Sequence, residues 1–213
     1  MAAASADQNR PQWRGPLATG VAPNGNPPTE WSETKNIKWK VASPGDSSAT
    51  PIVWNDRVFI VSAVPTGKRV EPAVSVQPIP QDGFRQGGGG PGGPGARGGR
   101  GGMGGPPPTE VYQWIVYCLD RNTGKILWQK TAHEEVPHEG HQQNNTYASY
   151  SPITDGQRLY GNFGSWGLSC YAFTGELLWK RDLVQVKRLL GFGKGGSTAL
   201  SGSTLTLSAA PCG

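Results

Sequence analysis

Apolar residues in this chain gather into short runs separated by polar, glycine-bearing turns, and two of these patterns occur twice. The first is Pro51-Ile-Val-Trp-Asn-Asp-Arg-Val-Phe59, which matches Pro152-Ile-Thr-Asp-Gly-Gln-Arg-Leu-Tyr160 position for position. The second is Cys118-Leu-Asp-Arg-Asn-Thr-Gly-Lys-Ile-Leu-Trp128, which returns one residue shorter as Cys170-Tyr-Ala-Phe-Thr-Gly-Glu-Leu-Leu-Trp179. Each pattern reads as a strand, a turn and a strand. Gly124 and Gly175 supply the positive φ that a tight turn needs, and the strand after each closes on a tryptophan.

The spacing locates an insertion. The tryptophans Trp128 and Trp179 lie 51 residues apart, whereas Pro51 and Pro152 lie 101 apart. The excess falls between Phe59 and Cys118, where the separation is 59 residues against 10 between Tyr160 and Cys170. Setting it aside restores a period of about 50 residues, and four strands in that length is the period of a β-propeller blade, not of a helical solenoid. The expected fold class is therefore all-β, an incomplete β-propeller of four-stranded blades.

The chain then divides into an N-terminal arm (1–47), a first blade (48–147) with an insertion at 65–110, a second blade (148–194) and the opening of a third (195–213). Residues 50–64 with 111–130, and 151–180, are expected as antiparallel meanders, with Trp128 and Trp179 largely buried at equivalent places. In the arm, Ile37-Lys-Trp-Lys-Val41 reads as a closing strand, with Trp39 standing where Trp128 and Trp179 stand. The third opening has Thr198 where proline stood and then gives way to Ser-Ala-Ala-Pro-Cys-Gly. A ring needs about four to eight blades, so the chain reads as a truncated fragment of a longer propeller.

Composition narrows the class. Of 213 residues 35% are hydrophobic, with 32 Gly, 19 Pro and 8 Trp, the profile of a turn-rich β protein with aromatic anchors. No apolar run approaches the roughly 20 residues that a membrane-spanning helix needs. The net charge of +5 is mild and names no partner. Cys118 and Cys170 occupy equivalent strand positions and read as small buried apolar residues, while Cys212 lies in the tail. Met1-Ala-Ala-Ala-Ser-Ala6 before Asp7 places small residues where signal peptidase prefers them, which points to an extracytoplasmic location.

The Trp13-Arg-Gly-Pro16 start, the Leu119 to Trp128 unit, Tyr147-Ala-Ser-Tyr-Ser-Pro-Ile-Thr-Asp-Gly156 and Phe163-Gly-Ser-Trp-Gly-Leu168 together resemble the PQQ-like β-propeller repeat proteins. Within them the chain looks most like the exported bacterial group similar to outer-membrane assembly factor B, over roughly residues 11–64 and 111–200. The resemblance implies that Trp128 and Trp179 dock between neighbouring blades and that the turn Asp120 to Gly124 supports the stacking. The blade motif then comprises Trp39, Asp120, Thr123, Gly124, Trp128, Thr174, Gly175 and Trp179. These are structural residues, since a large aromatic buries about 150–250 Å² against the next sheet.

Other motifs carry less chemistry. Gly191-Phe-Gly-Lys-Gly-Gly196 has dinucleotide-like glycines but neither a βαβ unit around it nor the Ser or Thr of a phosphate-binding loop, so a loop between strands is expected. His133, His138 and His141, interleaved with Glu134, Glu135 and Glu139, are weak candidates for a metal; Pro137 and Gly140 set them on an irregular loop. The tract from Gly87 to Pro108 is almost wholly Gly, Pro and Arg. With Arg97 and Arg100 its only arginines, Arg85 just before it and no aromatic after Phe84, an insertion without fixed structure over 85–108 is expected, and no nucleic-acid partner.

The reading that results is a non-catalytic interaction scaffold that binds a protein or cell-envelope component, with no catalytic residues, metal or cofactor. The alternative is a fragment of a PQQ-dependent quinoprotein dehydrogenase, which would use PQQ and calcium and require a cluster of oxygen ligands and a catalytic aspartate. A polymer- or carbohydrate-binding propeller is a third reading, favoured by Trp13, Trp31 and Trp166.

Overall fold

A computed structural model describes residues 9–22, 25–71, 108–141, 144–183 and 198–207. They form two four-stranded antiparallel sheets, each a simple meander, and one further hairpin. The first sheet runs β1 (Ile52–Trp54), β2 (Arg57–Arg69), β3 (Glu110–Asp120) and β4 (Ile126–Glu135). The second runs β5 (Ile153–Thr154), β6 (Arg158–Asn162), β7 (Leu168–Ala172) and β8 (Leu177–Arg181), and the hairpin pairs β9 (Ala199–Ser201) with β10 (Thr204–Thr206). The expected meanders are thus present, and no helix among the described residues is long and apolar enough to cross a membrane.

The repeats superimpose in register. Phe59 faces Cys118, which faces Trp128; Tyr160 faces Cys170, which faces Trp179. A β-bulge follows Cys118 in one sheet and Cys170 in the other, placing the extra residue, Leu127 or Leu178, just before the tryptophan. The first hairpin of each unit turns through a left-handed residue at the same place: Asn55 at φ +53°, Gly156 at +90° and Gly202 at +56°. Asparagine and glycine are the residues that tolerate this conformation.

Strand β3 reads Val-Tyr-Gln-Trp-Ile-Val-Tyr-Cys-Leu, a nearly continuous apolar run, because both faces of its sheet are covered. One face, with Ile52, Phe59, Val61, Trp114, Val116 and Cys118, packs on Leu159, Phe163 and Tyr171 of the second sheet. The other, with Val53, Val58, Ile115, Tyr117 and Leu119, packs against Trp39 of the arm. The opposite face of the second sheet repeats the arrangement, as Ile153, Tyr160 and Cys170 pack against Leu200 and Leu205 of the β9–β10 hairpin.

The insertion lies at the tip of the β2–β3 hairpin, whose strands continue in pairing as far as Arg69 and Glu110. Most of the glycine-rich tract lies outside the described residues, as does the Gly191 to Gly196 motif. Residues 37–41 are not a strand, contrary to the expectation of a closing strand. A strand needs a ladder, and among the described residues the arm contributes only single bridges, Arg10 to Val53 and Asp46 to Ala63, besides a Ser32–Lys35 bridge within itself. Trp39 is held by its side chain instead.

Candidate functional site

Each docked tryptophan lies across a glycine of the next turn. Gly124, at φ +72°, supports Trp39 so closely that a Cβ there would stand 2.6 Å from the indole; Gly175, at +88°, supports Trp128 with a corresponding 2.9 Å. The indole N–H then finds a backbone carbonyl. Trp39 Nε1 donates to Arg121 O at 2.8 Å, and Trp128 Nε1 donates to Phe173 O at 2.9 Å. Arg121 and Phe173 both stand three residues or fewer before the turn glycine, so the two docks share one geometry. Arg57 also donates to the Phe173 carbonyl and lies over its ring.

The two turns reach that geometry differently. Asp120 Oδ1 accepts from Asn122 N at 2.9 Å, Thr123 N at 2.8 Å and Thr123 Oγ1 at 2.8 Å, and these bonds, the threonine hydroxyl foremost, hold its carboxyl below the ordinary range. In the second turn Ala172 replaces the aspartate, and a backbone bond from Gly175 N to Ala172 O at 2.9 Å closes the shorter loop around Thr174. A parallel dock joins Trp54 to Gly156. Sequence reasoning passed over that pair, although a glycine at the position equivalent to Asn55 was its signal.

Trp179 departs from the expected burial. Its ring meets Tyr160 at 6.1 Å and 49°, the same values as Trp128 against Phe59, yet it remains 36% exposed. Burial of Trp128 comes from the turn of the neighbouring sheet, and among the described residues no such turn reaches Trp179. Its neighbours Leu177 and Leu178 are 51% and 43% exposed, so the outer strand β8 presents an apolar edge.

The histidines gather around aromatic rings. His133 from β4 and His138 from the following loop lie against Trp166 at centroid distances of 4.2 and 3.6 Å. Both imidazoles therefore pack directly on the indole, which is half-buried. Lys180 Nζ donates to His133 Nδ1 at 3.3 Å, which places the ring proton on Nε2, 3.6 Å from Glu135 Oε2. Burial, then Lys180, lowers the His133 pKa below its ordinary value. His138 Nδ1 meets Ser165 Oγ at 2.7 Å, and His141 stands edge-on to Tyr147. The cavity beside Trp166 measures only about 40 Å³, room for little more than water. Among the described residues no three His, Cys, Asp or Glu side chains converge as metal ligands would.

Cys118 and Cys170 are fully buried and unpaired, each at the centre of a sheet-to-sheet contact. Burial pushes both thiols up to about 11, which leaves them without the thiolate that reactivity needs. No known protein family matches this chain, and neither does any curated protein.

Proposed function

We propose that the chain is part of a β-propeller of PQQ-like repeats and serves as an extracytoplasmic scaffold that holds a protein or cell-envelope component without turning it over. The observation that carries this reading is the repeated dock of an indole on a turn glycine, from Trp39 to Gly124 and from Trp128 to Gly175. The residues that recur from unit to unit make packing and backbone contacts, so what the repeat preserves is the stacking of sheets. Function then belongs to surfaces that differ between units. The outer strand β8 repeats the apolar pattern of β4, and its exposed leucines form a surface of the kind that another polypeptide covers. The extracytoplasmic assignment rests on the small-residue start, Met1 to Ala6.

The test is a titration with PQQ and calcium, followed by tryptophan fluorescence and by reduction of an electron-accepting dye in the presence of alcohols or sugars. The scaffold reading expects neither saturable quenching nor turnover. Saturable quinone binding with dye reduction would replace it with the dehydrogenase alternative.

A further inference from the structure

The Trp-Arg-Gly-Pro start is not consumed by the stacking of sheets. Residues Arg14 to Gly20 fold into a closed loop, tied by hydrogen bonds from Gly15 N to Gln12 O at 2.9 Å and from Gly20 N to Arg14 O at 2.9 Å. Against β1 this loop leaves a cavity of about 310 Å³, at the lower end of the range for small-molecule sites. Three arginines line it, Arg10, Arg14 and Arg121, and no acidic residue does so among the described residues.

Two of these groups are held by the backbone. Arg10 Nη2 donates to Trp13 O at 2.7 Å, and Arg121 Nη1 donates to Asn55 O at 3.1 Å. A guanidinium has five N–H donors in a planar fork, so both keep donors for a ligand. Arg14 stands over the Trp13 ring, 4.6 Å from its centroid, and forms no ion pair among the described residues. Trp13, 38% exposed, lines the same cavity. A concave site thus combines three positive charges with a flat aromatic wall.

We infer that this cavity binds an acidic sugar of the uronate class, its carboxylate held by the arginines and its pyranose ring laid on the face of the Trp13 indole that Arg14 leaves uncovered. The planar fork of arginine matches a carboxylate in two parallel hydrogen bonds. A pyranose presents a flat face of C–H groups to an aromatic ring, while its rim hydroxyls suit the exposed backbone of the Arg14 to Gly20 loop. A lone small anion would leave Trp13 unused, and a neutral sugar would leave three charges unanswered. The inference does not depend on the scaffold reading.

Isothermal titration of the full chain with trigalacturonate, maltotriose, triglutamate and acetate tests it. Trigalacturonate should bind saturably and about tenfold or more tighter than each of the others, a difference that one well-placed charged contact supplies. Binding should weaken as salt rises. Trp13→Ala and Arg14→Gln should each reduce the affinity about tenfold; circular dichroism checks that the variants fold, and Arg14, whose exposed side chain forms no hydrogen bond among the described residues, decides the matter if Trp13→Ala does not fold. No saturable binding of trigalacturonate to the unaltered chain overturns the inference, as does triglutamate binding equally well or Arg14→Gln binding trigalacturonate unchanged.

Discussion

A methyl group added at Gly175 would stand 2.9 Å from the Trp128 indole, on a backbone at φ +88° that an L side chain resists. Gly202 is left-handed too, at +56°, but nothing lies within 4 Å of it. The pair separates two effects that a single glycine substitution confounds. Gly202→Ala should lose only the backbone preference, about 1–2 kcal/mol. Gly175→Ala should lose that and part of the indole's burial besides, about 2–4 kcal/mol in all. Urea unfolding followed by tryptophan fluorescence measures both, and equal losses at the two sites would show that the dock contributes nothing to stability.

At the scale of elements, β7 and β8 are adjacent strands with opposite environments. Leu168 to Tyr171 are buried, and every residue of β8 is exposed. The bulge after Cys170 turns the edge strand so that Leu177 and Leu178 both reach solvent. An exposed apolar edge invites pairing with another chain. The double variant Leu177→Glu, Leu178→Lys should leave the unfolding free energy within about 0.5 kcal/mol of the parent, as surface changes do, while lowering self-association in sedimentation velocity. A large loss of stability would mean that β8 is covered in solution.

For the molecule as a whole, the paired groups predict two steps of acid destabilisation. His133 has a folded pKa below 6.5, through burial and then Lys180. The unfolded chain therefore binds a proton first, and the stability that His133 contributes is present above pH 6.5 and is lost as pH falls through the folded value. Burial alone would raise Asp155, but bonds from Gln157 N, Arg158 N and the Tyr160 hydroxyl outweigh it and hold the group below 3.8. Asp120 is lowered by Thr123, and Glu134 by Gln113 and then Lys68. Their contribution is present above the ordinary carboxylate values and is lost at lower pH. Thermal midpoints from pH 8 to pH 3 should show a shallow fall beginning near pH 6.5 and a steeper one below about pH 4. His133→Gln should remove the first and keep the second; a first step that survives the substitution belongs to another group.

Periodicity alone was enough to place the strands. The two doubled patterns, their Thr-Gly turns and the offset between 51 and 101 residues located both meanders and the insertion, because strand pairing in a meander joins neighbours along the chain. The left-handed turns at Gly124 and Gly175 and the equivalence of Trp39 with Trp128 were legible for the same reason, since each recurs at a fixed place. What the tertiary structure decided depends on contacts between segments far apart. Among the described residues, 37–41 carry the right tryptophan yet have no ladder partner, and Trp179 matches Trp128 in sequence yet has no turn to cover it. His133 and His138 pack on Trp166 across more than 25 positions of chain, a use of imidazole that spacing cannot distinguish from metal ligation. Arg10, Arg14 and Arg121 share one cavity only because the arm crosses β1, and no local pattern encodes that crossing.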